Sequence, residues 1–131
     1  MQKLALSLII LLVFATIAKA ATNTNLQVTP LLSGVTATGT GTVYKFAPGT
    51  SGRAVQVTVA GSGVVSATTV LEVSNADSPT TFVPAVTFTS SGTTTVSEGY
   101  QTQNSWAYMR GNVTAISGVG AAVTLTVGSG N

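Results

Sequence analysis

Residues 54–60 read Ala-Val-Gln-Val-Thr-Val-Ala, and residues 121–127 read Ala-Ala-Val-Thr-Leu-Thr-Val. In an extended chain successive side chains point to opposite sides. Val55, Val57 and Val59 then share one face, with Gln56 and Thr58 on the other. Val123, Leu125 and Val127 oppose Thr124 and Thr126 in the same way. A third alternating stretch, 67–73, brings Leu71 and Val73 together and turns Glu72 away. Weaker stretches at 26–31, 42–46, 83–89, 93–96 and 106–116 repeat the pattern, the last with a break expected near Gly111. Thr and Val dominate all of them, and β-branched residues fit a pleated surface better than a helix.

The segments between them carry turn chemistry: Ser33-Gly34, Thr38-Gly39-Thr40-Gly41, Pro48-Gly49, Gly61-Ser62-Gly63, Ser91-Gly92 and Ser117-Gly118. Ser74-Asn75-Ala76-Asp77-Ser78-Pro79 is the longest polar loop. Short strands at this spacing predict an all-β domain, a two-layer antiparallel β-sandwich of jelly-roll-like or Ig-like form, spanning residues 21–131.

Residues 1–20 are of another kind. A basic start at Lys3 leads into the apolar run LALSLIILLVFATI at 4–17, then Ala18-Lys19-Ala20. This is the layout of a secretory signal peptide, with cleavage expected between Ala20 and Ala21. An apolar run this short falls below the about 20 residues that cross a bilayer. Contact with a membrane is therefore expected only through this hydrophobic segment, if it stays uncleaved.

The composition bounds the rest. Of 131 residues 44% are hydrophobic and only 6% charged, against about 25% charged in an average domain. Thr, Ser, Asn, Gln and Gly must therefore cover the surface. The formal net charge of +2 belongs entirely to Lys3 and Lys19. Beyond them Lys45, Arg53 and Arg110 balance Glu72, Asp77 and Glu98. A neutral domain has no basic stripe to displace counterions from nucleic acid, so no nucleic-acid partner is expected.

The chain has no cysteine and no histidine, hence no disulfide, thiol nucleophile, imidazole base or Cys/His metal cage. Serines lack a histidine to activate them, and a Ser/Lys pair would rest on Lys45 alone. Glu72, Asp77 and Glu98 read as solvated charges, where glycoside hydrolysis needs two carboxylates facing across a cleft. A calcium site from Asp77, Glu72 and loop carbonyls would be carboxylate-poor and weak. No enzyme, cofactor or metal is expected. Asn112-Val113-Thr114 is a formal glycosylation sequon.

The most informative stretch is WAYMRGNVTAI at 106–116. Alternation puts Trp106, Tyr108, Arg110 and Asn112 on one face and Ala107, Met109, Gly111 and Val113 on the other. Arg is seldom fully buried, which makes the first face the outer one. Trp, Tyr and Arg together are the residue types of binding hot spots, so these four are the candidate partner contact. The alternative is that Trp106, the only tryptophan, anchors the core. Tyr44 and Phe46 share a strand face and carry the same two readings.

Two longer stretches carry a resemblance. Residues 54–100 read AVQVTVAGSGVVSATTVLEVSNADSPTTFVPAVTFTSSGTTTVSEGY, and 105–128 read SWAYMRGNVTAISGVGAAVTLTVG. Their order resembles small β-sandwich virion proteins of tailed bacteriophages, in which a Val-alternating strand leads to a "V.V.GSNDG" loop and a "W.YVR.NVTAISG.GA.VTV" ending. The likeness spans about residues 34–128; the loop here, SNADSPTTF, departs from the Asp-Gly turn. The resemblance implies a capsid-decoration or tail-associated subunit in the virion. Such a subunit would be non-enzymatic, homo-oligomeric and bound to other protein subunits by surface complementarity. Two alternatives stay open. One is a secreted, self-assembling filament or surface-layer subunit, with residues 21–32 added as a strand to a neighbour. The other is a secreted carbohydrate-binding module stacking sugars on Trp106, Tyr108 and Tyr100.

Overall fold

The computed structural model describes residues 27–47, 52–76 and 81–129. The signal-like segment 1–20, the cleavage position at Ala20–Ala21, the Pro48-Gly49 turn and Asp77 lie outside the described residues. Within them the chain forms nine strands and no helix: β1 Gln27–Val35, β2 Gly39–Thr40, β3 Tyr44–Lys45, β4 Arg53–Ala60, β5 Val65–Ser74, β6 Val83–Gly92, β7 Val96–Thr102, β8 Tyr108–Ser117 and β9 Ala122–Ser129.

Every pairing is antiparallel, and the strands form two sheets. One has the order β1-β9-β4-β7. The other has the order β2-β8-β5-β6, with β3 lying beyond β2 along the same edge of β8. The two stretches with the cleanest alternation become neighbours. Val55 faces Val127, Val57 faces Leu125 and Val59 faces Val123, and all six are buried. Each such side chain contributes about 1.5–3 kcal/mol on leaving water. This ladder therefore forms the apolar floor of the first sheet. Val65, Ala67, Leu71, Val73, Phe88, Met109 and Val113 of the second sheet close over it in one core.

Three expectations change in detail. No break occurs at Gly111: β8 runs through it unbroken. A Cβ there would lie 2.6 Å from Leu32 Cγ and 2.9 Å from Leu125 Cδ2. The glycine makes room for the opposite sheet rather than a turn. In β1 the register shifts between Pro30 and Leu32 and again before Val35, so the adjacent Leu31 and Leu32 are both buried, at 2% and 3% exposure. Strict alternation cannot do that. Ser33-Gly34 belongs to this irregular strand, and Gly34 takes φ 58°, a conformation natural to glycine. The strand expected at 93–96 begins only at Val96 and continues to Thr102.

Candidate functional site

The candidate contact divides on folding. Tyr108, Arg110 and Asn112 share the outer face of β8, because Met109, Gly111 and Val113 between them are buried. Trp106 precedes the strand and packs, half-buried, against the core; alternation does not reach it because the ladder starts at Tyr108. Tyr108 is not an exposed aromatic. It is only 8% exposed, and Lys45, its partner across the ladder, holds Nζ 5.5 Å from the ring centroid. An exposed Trp106–Tyr108–Arg110 patch is therefore not formed, and the core reading of Trp106 holds. Tyr44 and Phe46 also take the core reading. Their rings meet edge to face at 4.8 Å, with Phe46 buried and Tyr44 packed against the core.

What the outer face of the second sheet does assemble is an ion-pair cluster. Glu72 lies opposite Arg110 across the β5–β8 ladder. Arg110 Nε donates to Glu72 Oε2 at 2.6 Å, and Asn112 Nδ2 donates to Oε1 at 3.0 Å. The guanidinium also lies over the Phe82 ring, 4.1 Å from its centroid. Both oxygens of Glu72 are thus engaged, which leaves it poorly placed as a catalytic base or calcium ligand. The sequon asparagine is held in the same way, in the middle of a sheet with a neighbour on each side. No group of three or more His, Cys, Asp or Glu that could hold a metal occurs among the described residues.

Arg53 is the residue that sequence reading missed. It is 1% exposed, at the head of β4. Its guanidinium lies 4.1 Å from the Phe46 ring centroid, and Nη1 donates to the Trp106 carbonyl at 2.8 Å. Burial lowers its pKa below the ordinary arginine value by disfavouring the charged form. The signal was present in the sequence, since Arg53 has the same parity as Val55, Val57 and Val59.

The outer face of the first sheet carries a groove of about 660 Å³. Cross-strand rows explain it. Val28, Gly128, Ala54 and Gln101 stand in one row, and Pro30, Thr126, Gln56 and Gly99 in the next. The small residues Gly128, Ala54 and Gly99 lower the floor between exposed Val28 and the β7 edge, where Ser97 and Gln101 stand on the same outer face. Glu98 faces Val57 and Tyr100 faces Val55 across the β4–β7 ladder. Neither side chain makes a hydrogen bond or ion pair among the described residues. Glu72 and Glu98 stand on different sheets, so they do not form a facing carboxylate pair across one sheet.

No protein-family model, curated protein or solved structure matches this chain.

Proposed function

We propose that this chain is a non-enzymatic structural subunit of a virion, a capsid-decoration or tail-associated protein that binds other protein subunits through surface complementarity. The observation that carries the reading is the strand order. With β2 and β3 taken as one interrupted strand along β8, the sheets read 1-9-4-7 and 2-8-5-6. That order supports an eight-stranded jelly roll, an architecture of viral capsid and lectin domains, over the ABED/CFG sheets of an Ig domain. The outer faces support the same role. They are hydroxyl-rich, and among the described residues the one carboxylate beside a cation, Glu72, is already neutralised by Arg110. On this reading the protein resides in the virion; export after cleavage between Ala20 and Ala21 is the alternative.

The genomic neighbourhood of the coding sequence tests the proposal. Terminase and portal genes beside it are expected, and a neighbourhood of cellular secretion or cell-wall genes would overturn it.

The groove on the first sheet favours a carbohydrate-binding module as the second reading. It is weakened by the burial of Tyr108 and the core packing of Trp106; Tyr100 stays exposed, but opposite Val55, on the inner parity of β7 rather than over the groove floor. A glycan array decides it: no binder removes this reading, and a binder lost in Tyr100→Ala would favour it over the first.

A further inference from the structure

The two sheets have four edges, and three of them are blunted. An unpaired edge is a template for another strand, so folded β proteins interrupt it with proline, charge, bulges or shortness. β1 contains Pro30 and two register shifts. β6 contains Pro84 and a register shift between Leu71 and Glu72 of its partner. The β2–β3 edge consists of two pieces of two residues each and ends in Lys45. β7 has no proline, no bulge and no break, and its one charged residue is Glu98. Its seven residues, Val-Ser-Glu-Gly-Tyr-Gln-Thr, pair with β4 without a single register shift. Among the described residues β4 is its only strand neighbour, and Ser97, Gly99, Tyr100 and Gln101 are exposed.

We propose that β7 pairs antiparallel with β7 of a second copy about a twofold axis at Gly99. This deepens the structural-subunit reading and rests on it only for the purpose of the contact. The choice of a second copy comes from the self-complementarity of the strand. Gly99 is its middle residue, so the two copies meet where neither has a side chain. In that register Ser97 stands opposite Gln101 of the second copy, and Glu98 stands opposite Tyr100. The phenol hydroxyl can then donate to a carboxylate that has no side-chain partner among the described residues of its own chain, and symmetry makes the contact twice. The two Glu98 carboxylates fall on a diagonal rather than face to face, which avoids like charges directly opposite. The two four-stranded sheets become one of eight strands, β1-β9-β4-β7 and its symmetry mate. The contact is isologous and closes, so it does not by itself propagate.

The chain has no cysteine, which makes the register directly readable. Paired residues on antiparallel strands have Cα atoms about 4.5–5.5 Å apart, within disulfide reach. A side chain fits at Gly99, where an added Cβ would meet only the Val55 carbonyl oxygen, at 3.7 Å, an ordinary van der Waals contact. The full chain bearing Gly99→Cys, oxidised with glutathione disulfide, is expected to run mostly as a covalent dimer without reductant. Ser97→Cys and Gln101→Cys are each expected to stay monomeric alone and to cross-link when mixed. Equal cross-linking at all three positions, or self-linking of Ser97→Cys, would overturn the proposal. Amide hydrogen exchange on the unmodified chain gives a second reading that depends on no variant. Protection in β7 is expected to rise at least tenfold between dilute and concentrated protein; protection independent of concentration overturns the pairing. A strand donated from residues 21–26 of a neighbour would protect β7 without the Gly99 cross-link, and that result also overturns it. A Gly99 dimer from a chain encoded among cellular genes would keep the pairing and remove the virion role, so the two failures are distinguishable.

Discussion

The guanidinium of Arg53 lies 4.1 Å from the centre of the Phe46 ring while its Nη1 donates to the Trp106 carbonyl. One buried cation thus ties the start of β4 to the aromatic end of the β3 segment and to the turn that enters β8. Truncating it leaves a cavity and an acceptor without its donor. Arg53→Ala is expected to cost about 3 kcal/mol, read from urea unfolding. Arg53→Met fills the volume without a charge to desolvate, and is expected to cost less than half as much. Equal losses in the two variants would show that the charge, not the packing, is what the site requires.

Glu72 gathers Arg110 and Asn112 on the outer face of the second sheet. The pair is partly exposed, with side-chain exposures of 27% for Arg110 and 16% for Glu72, so solvent screens it. A double-mutant cycle between Glu72→Gln and Arg110→Met is expected to give a coupling energy of about 0.5–1 kcal/mol. The coupling should shrink when salt is raised. A coupling near zero would leave the stacking of Arg110 on Phe82 as what holds this side chain.

Gly111 of the second sheet faces Leu32 and Leu125 of the first. A methyl group there would press on Leu32 and Leu125, both at under 3 Å, and these are buried and have little room to move. Gly111→Ala is expected to cost about 1–3 kcal/mol through overpacking. Leu32→Ala in the same chain is expected to recover part of that loss, because it removes the nearest obstacle. Additive losses in the double variant would place the strain in the β8 backbone instead.

The apolar ladder of β4 and β9 was legible because parity alone sorts Val55, Val57 and Val59 from Gln56 and Thr58. The same parity, carried one step back, would have placed Arg53 inside. Gly111 is ambiguous in sequence because a glycine in an alternating run signals either a break or a close approach, and only the position of the opposite sheet decides which. Leu31 and Leu32 could not both be assigned to the core from a period of two, since the β1 register shifts that bury them depend on its pairing with β9. Alternation groups Tyr108, Arg110 and Asn112 on one face of β8, but Trp106 lies before the strand, because the start of a ladder is set by its neighbours and not by its own residues. The pairing of Glu72 with Arg110 joins residues 38 apart in sequence, and nothing local to either announces it.

Among the described residues two core hydroxyls have no hydrogen-bond partner, Thr69 Oγ1 and Ser90 Oγ. Thr69 stands opposite Phe88 and Ser90 opposite Ala67 on the β5–β6 ladder, and both are 1% exposed. A buried hydroxyl that loses water and gains no partner costs about 1–3 kcal/mol. Valine matches threonine in shape and favours a strand equally well. Thr69→Val is therefore expected to raise stability by about 1 kcal/mol, and Ser90→Ala by a smaller amount because it also gives up packing volume. Chemical unfolding of the two single variants and the double checks this. If Thr69→Val is destabilising instead, the hydroxyl must have an acceptor in solution, and the outcome of Thr69→Ser separates the two cases. Serine keeps the hydroxyl and loses a methyl group, so it restores stability relative to valine only if the hydroxyl is bonded.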